Sequence, residues 1–165
     1  MLLDRAVLDR LYQYSFSLTN DEDSAYDLLQ RGVERYLKAS RGTTIDAPVP
    51  YIRRCIRNIF IDEYRRSKRF EQVEFEEDER EVMELAGVGS LEGELVAAVD
   101  VGKMWTRLRA NEREILYLWA VEGMSTSEIA QQSGSPRGTI LSRIHRLKKK
   151  LRDWYSGDRT KEATS

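Results

Sequence analysis

The architecture of this chain follows from residues 126–146, which read Thr-Ser-Glu-Ile-Ala-Gln-Gln-Ser-Gly-Ser-Pro-Arg-Gly-Thr-Ile-Leu-Ser-Arg-Ile-His-Arg. The pattern predicts a short helix over 126–132, after which Gly134 supplies a tight turn. Ser135 then suits the N-cap of a second helix and Pro136 its first helical position. These residues therefore predict two helices that are joined by a turn of very few residues.

The second of these helices has one apolar face and one basic face. Its apolar residues recur at steps of four and three, as a helix packed on a core requires: Ile140, Ile144, Leu147, Leu151 and Trp154. Ala130 is small enough for a close crossing of the two helices. The opposite face carries Arg137, Ser142, His145, Arg146 and Lys149, with Lys148 and Lys150 beside it. This arrangement predicts a helix-turn-helix whose second helix enters the major groove of DNA, with lysines on phosphates.

The rest of the chain also follows helical periodicity, and no strand-like alternation of any length occurs. We predict helices over 3–18, 23–39 and 51–69, with a loop over 40–50. Residues 99–155 are again helical, and Asn111 to Glu114 and Ser125 to Glu128 have the form of capping boxes. The fold class is therefore all-α, with two small helical domains.

Charge is strongly segregated, although the 165 residues carry a net charge of only −1. Counted from the sequence, residues 51–70 carry +5, residues 71–100 carry −10 and residues 137–152 carry +7. We interpret residues 71–98 as an acidic flexible linker between two polyanion-binding faces. That linker could also fold back on a basic face and weaken DNA binding. The single Cys and the single His disfavour disulfides, zinc sites and a His-based triad.

The third predicted helix combines basic, amide and apolar groups on one side. Ile52, Cys55, Ile56, Ile59 and Phe60 share its core side, where Cys55 has a packing role. The other side holds Arg54, Arg57, Asn58, Arg65, Lys68 and Arg69. Ile61 points the same way, and Tyr51 and Tyr64 lie near its edges. Such a mixture suits single-stranded DNA with displaced bases better than intact duplex.

The sequence resembles a family, the bacterial sigma factors of the extracytoplasmic-function (ECF) group. Three motifs carry the resemblance: residues 25–33 resemble the second helix of a sigma-2 domain, residues 51–66 its promoter-melting helix, and residues 116–146 a sigma-4 domain. The resemblance implies domains at 1–70 and 99–155, the linker at 71–98 and a disordered tail at 156–165. Arg31 stands where the family commonly has an acidic residue, and Leu141 where it commonly has a basic one.

The resemblance also implies roles for individual residues. Polymerase, through the clamp helices of its largest subunit, would be contacted by Asp27, Leu28, Gln30 and Arg31. The −10 element would be read and melted by Arg54, Arg57, Asn58, Ile61, Arg65 and Lys68, with Asn58 on a flipped base. The −35 element would be contacted by Arg137, Thr139, Ser142, Arg143, His145, Arg146 and Lys149.

The implied function is that of a promoter-specificity subunit, without catalytic residues, cofactor or metal. Its partners would be core RNA polymerase (clamp helices and flap), promoter DNA and an anti-sigma protein, in the cytoplasm and without membrane insertion. A stand-alone helix-turn-helix regulator with an N-terminal effector or dimerisation domain is the alternative, and it predicts a symmetric dimer. A metal-dependent nuclease built on the acidic stretch, and a basic helix lying on a membrane, are further alternatives.

Overall fold

A computed structural model describes residues 3–67 and 104–162 of the chain, with side chains described up to residue 157. All regular structure in these residues is helical, which confirms the all-α prediction for them. The helices separate into two compact units, one holding the three N-terminal helices and the other most of the helical residues after 103. The acidic linker predicted at 71–98 lies outside the described residues.

The first two helices begin and end where the sequence carries stop and start signals. Helix α1 spans Arg5–Thr19, and Asp4 caps it by accepting a hydrogen bond from Val7 N at 2.9 Å. It ends at Asn20, whose φ of 51° is left-handed, a conformation that Asn tolerates. Helix α2 spans Glu22–Ser40, and Asp21 caps it through Ser24 N, also at 2.9 Å. These boundaries agree to within two residues with the helices predicted over 3–18 and 23–39.

Helix α3 spans Pro48–Ser67 and begins three residues earlier than the sequence pattern predicted. Both Pro48 and Pro50 therefore lie in its first turn. A helix accepts proline there, because the amide N–H groups of its first turn have no partner within the helix.

Helices α1, α2 and α3 pack against one another around a single apolar core. Its buried side chains are those that the 3.6-residue period placed inside: Leu11, Tyr14, Leu18, Ala25, Leu28, Leu29, Ile52, Ile56 and Ile59. Burial of each large aliphatic side chain contributes roughly 1.5–3 kcal/mol. This core holds the outer faces of α2 and α3 in fixed positions, which is what a binding surface requires.

Between residues 104 and 162 the structure describes three further helices and a π-helical turn. Helix α4 spans Ala110–Leu116 and continues into the π turn Tyr117–Val121, where Glu122 N donates to Tyr117 O at 3.0 Å. Helix α5 spans Thr126–Ser133, and α6 spans Arg137–Glu162. The core of the second unit includes Leu108, Ile115, Leu118, Ile129, Ile140, Ile144, Leu147 and Leu151.

The turn between α5 and α6 has the geometry that the sequence predicted. Ser125 Oγ caps α5 by accepting from Glu128 N at 3.1 Å. Gly134 has a φ of +68°, and Ser135 N donates back to Ala130 O at 3.1 Å, which closes the helix end as in a Schellman motif. Ala130 is buried, as a close crossing of the two helices requires.

Further predicted boundaries differ from the structure in residues 104–162. The capping box at Asn111 and Glu114 is wrong: the N-cap is Arg109, and Asn111 and Glu114 are buried within the helix beside Ala110. The sequence pattern of a cap cannot distinguish a helix start from an inward-facing polar residue one turn later. Helix α6 begins one residue later than predicted, so Pro136 precedes its first helical residue.

The predicted disordered tail from residue 156 is also wrong for residues 156–162, because α6 continues through them to Glu162. No proline follows Pro136 in the sequence, so nothing there forces the helix to end. The final residues 163–165 lie outside the described part of the chain.

Candidate nucleic-acid interfaces and docking face

Helix α6 presents its basic residues away from the buried aliphatic row. Arg137, Arg146 and Lys149 are exposed, whereas Thr139, Arg143 and His145 are half-buried. Arg137 also lies next to the start of α5, with its Nε 3.5 Å from Thr126 Oγ1. The opposite side of the helix is fixed by Ile140, Ile144 and Leu147. The exposed guanidinium and ammonium groups are therefore carried on a helix that its own unit holds in position. We call Arg137, Thr139, Arg143, His145, Arg146 and Lys149 the α6 basic face.

Two of the three consecutive lysines predicted for phosphates are engaged within the unit. Lys148 is only 8% exposed, and its Nζ lies 4.6 Å from the centre of the Trp119 ring, a cation–π contact. Lys150 Nζ pairs with both carboxylate oxygens of Glu112, at 3.0 and 3.1 Å. Lys149 alone of the three is exposed. The sequence could not reveal this division, because it depends on which side chains α4 and the π turn bring alongside α6.

The structure does not present Ser142 as an exposed base-reading residue, contrary to the prediction. Its side chain is buried, and its hydroxyl donates to Gly138 O at 3.0 Å within the helix. Serine in a helix interior commonly makes this bond to the carbonyl four residues earlier.

Helix α3 carries a second set of exposed groups along one line. Arg54, Asn58, Ile61 and Arg65 follow one another at steps of four, three and four, so they form a stripe on one side of the helix. Arg54, Asn58 and Arg65 are exposed, and Ile61 is half-buried. At a rise of about 1.5 Å per residue the stripe is about 16 Å long. We call these four residues the α3 stripe.

The remaining predicted residues of α3 lie beside or beyond this stripe. Arg57 is half-buried, and Lys68 lies outside the described residues. Cys55 is half-buried on the core side, and burial raises the pKa of its thiol, partly opposed by the nearby charge of Arg35. A higher pKa keeps the sulfur protonated, which agrees with the predicted packing role.

Helix α2 brings three of the four predicted polymerase contacts to its surface. Asp27 and Gln30 are exposed, and Arg31 is half-buried. Leu28, the fourth, is only 2% exposed and belongs to the core, so its burial does not favour the predicted contact with polymerase. The helical period places Leu28 with Ala25, Leu29 and Gly32 on the inner face of α2.

Two exposed apolar residues of α2 were missed by the sequence reasoning. Tyr26 is 60% exposed next to Asp27, and Leu37 is 49% exposed. The Tyr26 ring also meets the edge of Tyr12 on α1, with ring centres 6.0 Å apart. Their signal was available, because both residues are apolar and lie off the inward-facing period of the helix.

Together these surfaces define a class of protein: a helical nucleic-acid-binding protein with a helix-turn-helix in one unit and an Arg/Asn stripe in the other. No group of three or more His, Cys, Asp or Glu residues in the described ranges is arranged to hold a metal ion. No helix within those ranges has the length and apolarity needed to span a membrane.

Comparison with known proteins identifies the family. The family model "Sigma-70 region 2" matches residues 3–70, and "Sigma-70, region 4" matches residues 100–151. The ECF RNA polymerase sigma factor SigL of Mycobacterium tuberculosis is 31% identical over 159 residues, covering 91% of this chain and 87% of SigL. The chain belongs to the ECF sigma factors, the class of transcription initiation factors that direct RNA polymerase to promoters.

Two further relatives agree with this assignment. The ECF RNA polymerase sigma factor SigE of Mycolicibacterium smegmatis is 28% identical over 170 residues, which cover 99% of this chain but only 64% of SigE. The sigma factor RpoE of Bartonella quintana, solved in complex with the anti-sigma factor NepR, has a TM-score of 0.63 and 26% identity. That match covers 90% of this chain and 91% of RpoE. The assignment favours an initiation factor over a stand-alone regulator.

Proposed function

We propose that the chain binds one promoter through two different surfaces while it is docked on core RNA polymerase. The α6 basic face binds the duplex −35 element, and the α3 stripe captures unpaired bases of the −10 element. The observation that carries this proposal is that two exposed basic helical faces occur on two separate compact units, each with its own buried core. The corresponding domain boundaries are 1–70 and 99–155, with residues 71–98 as the connector.

The two faces suit different forms of DNA because their chemistry differs. The α6 basic face is rich in Arg and Lys, which contact phosphates and the guanine edge in the major groove. The α3 stripe places the Asn58 amide and the apolar Ile61 between arginines, and these groups suit a base that has left the stack. Capture of such a base offsets an unstacking cost of a few kcal/mol per base.

Docking on polymerase is assigned to the outer side of α2. Asp27 and Gln30 are exposed there, and the clamp helices of the largest subunit are the proposed partner, with the polymerase flap as partner of the second unit. An anti-sigma protein is proposed as a further partner, supported by the complex of the related RpoE with NepR. The chain acts in the cytoplasm, where polymerase is, and contributes no catalytic group of its own.

The separate roles of the α6 basic face and the α3 stripe are tested with two alanine variants and two promoter templates. On a full promoter, Arg146→Ala in the holoenzyme weakens duplex docking by about 1–3 kcal/mol, or roughly fivefold to 150-fold. On a template that lacks the −35 duplex, the same variant behaves like the unmodified protein. Asn58→Ala lowers open-complex formation on both templates, because both contain the −10 strand.

The matched control is Arg152→Ala, which removes an equal charge from an exposed position of α6 outside the α6 basic face. It leaves −35-dependent docking within about twofold of the unmodified protein, as expected for an exposed charge away from the contact. Equal activity of Asn58→Ala, Arg146→Ala and unmodified protein on both templates contradicts the assigned roles.

A further inference from the structure

The outer side of α2 carries a guanidinium that two carboxylates compete for. Arg31 Nη1 lies 3.5 Å from Asp27 Oδ2, four residues earlier on the same helix. The same nitrogen makes a direct hydrogen bond to Glu63 Oε1, near the C-terminal end of α3. The two acids therefore approach one cation from two helices.

The competition favours Glu63. The 3.5 Å separation from Asp27 exceeds the usual 2.7–2.9 Å of a charge-assisted hydrogen bond. Glu34 and Lys38 form a second pair at the same spacing in α2, and their charged atoms are 3.1 Å apart. The hydrogen bond to Glu63 is also the main reason why the pKa of Arg31 is raised, a shift that burial partly opposes.

Close packing of α2 on α3 makes this pairing possible. Gly32, next to Arg31, is so close to α3 that an added Cβ would lie 2.5 Å from Ile56 Cγ1. The two helices are therefore in close contact beside Arg31, and the long side chain spans from one helix to the other. Asp27 is left with a side chain that is 64% exposed.

We propose that Glu63 is a positioning residue for polymerase docking: it holds the Arg31 guanidinium toward α3 and so keeps Asp27 available as an anionic contact. Arg31 is then not itself a polymerase contact. Without Glu63, Arg31 would turn to the acid four residues earlier, as oppositely charged residues at this spacing in a helix do. This inference rests on the proposed function, because it takes Asp27 as a contact to polymerase.

The test measures affinity for core polymerase at low ionic strength, where exposed charges are least screened. Glu63→Gln lowers the affinity about twofold to fivefold, the range expected when an exposed charge is neutralised by a neighbour. Asp62→Asn removes the same charge from the adjacent, exposed position of α3 and leaves the affinity unchanged. Arg31→Ala binds at least as tightly as the unmodified protein, and adding Glu63→Gln to it has no further effect.

That last double variant separates positioning from direct contact. A loss of affinity from Glu63→Gln that persists without Arg31 overturns the inference, and so does an unchanged affinity of the single variant. If the unmodified protein does not bind polymerase, the proposed function fails instead. The pairing can then still be tested in the free protein. The 13C chemical shift of the Asp27 carboxylate is expected to change in Glu63→Gln but not in Asp62→Asn. An unchanged shift in Glu63→Gln would overturn the inference.

Discussion

At the scale of single residues, Gly32 lies where α2, the helix proposed to dock on polymerase, packs closely on α3, the helix proposed to capture the strand. A Cβ at this position would overlap Cγ1 of Ile56, which is fully buried. Cγ1 lies near the backbone of Ile56, so it cannot move aside as the end of a long side chain could. Alanine normally stabilises a helix interior by about 1 kcal/mol relative to glycine. Here steric overlap opposes that gain and is the larger effect, since overpacking a core costs about 1–3 kcal/mol.

Gly32→Ala is therefore expected to destabilise the first unit by about 1 kcal/mol, measured as the urea midpoint of unfolding followed by far-UV circular dichroism. Gly42→Ala is the matched control, because nothing lies within 4 Å of its added Cβ. The control is expected to change stability by less than about 0.5 kcal/mol. A stabilised Gly32→Ala variant would mean that α2 and α3 are not in close contact at this point.

At the scale of a helix, α6 separates lysines that look equivalent in the sequence. Lys149 is exposed, whereas Lys150 is paired with Glu112. Lys149→Ala in the holoenzyme should therefore reduce the slope of log affinity against log salt by about one unit for promoter duplex. Lys150→Ala should leave this slope unchanged, because its ammonium neutralises a carboxylate and not a phosphate. Equal slopes for the two variants would contradict the described pairing.

The sequence was sufficient to predict the helices themselves. Periodicity identified Ile52, Ile56 and Ile59 as the inward side of α3, and Ser125 and Gly134 marked the start and end of α5. These signals are local, because each depends only on residues that are neighbours in the sequence. The same periodicity correctly predicted that Asn58 and Arg54 lie on the opposite, exposed side of α3.

The parts that could not be predicted depend on contacts between distant residues. Nothing in the run Lys148 to Lys150 indicates that Trp119 covers one lysine and that Glu112 pairs with another. The cross-helix bond from Arg31 to Glu63 joins residues that are 32 positions apart. Local patterns assign a face to each side chain, but only tertiary packing determines which charges remain available to a partner.

At the scale of the whole molecule, the account requires that neither basic face acts alone. Each compact unit has its own apolar core and presents one basic helical face, so each can hold its own segment of DNA. Duplex binding by α6 alone cannot open a promoter, and strand capture by α3 needs DNA that is already separating. In the proposed function, polymerase supplies the frame on which both contacts are made to the same promoter.

The most direct test is a footprint on one promoter, selected by transcription from a random-sequence pool with core polymerase and this chain. With polymerase present, the account predicts protection of an upstream duplex segment from DNase I, together with permanganate-reactive thymines in a separate downstream segment. Both signals should disappear when core polymerase is omitted. A symmetric footprint that persists without polymerase, or protection without unpaired thymines, would contradict the central claim.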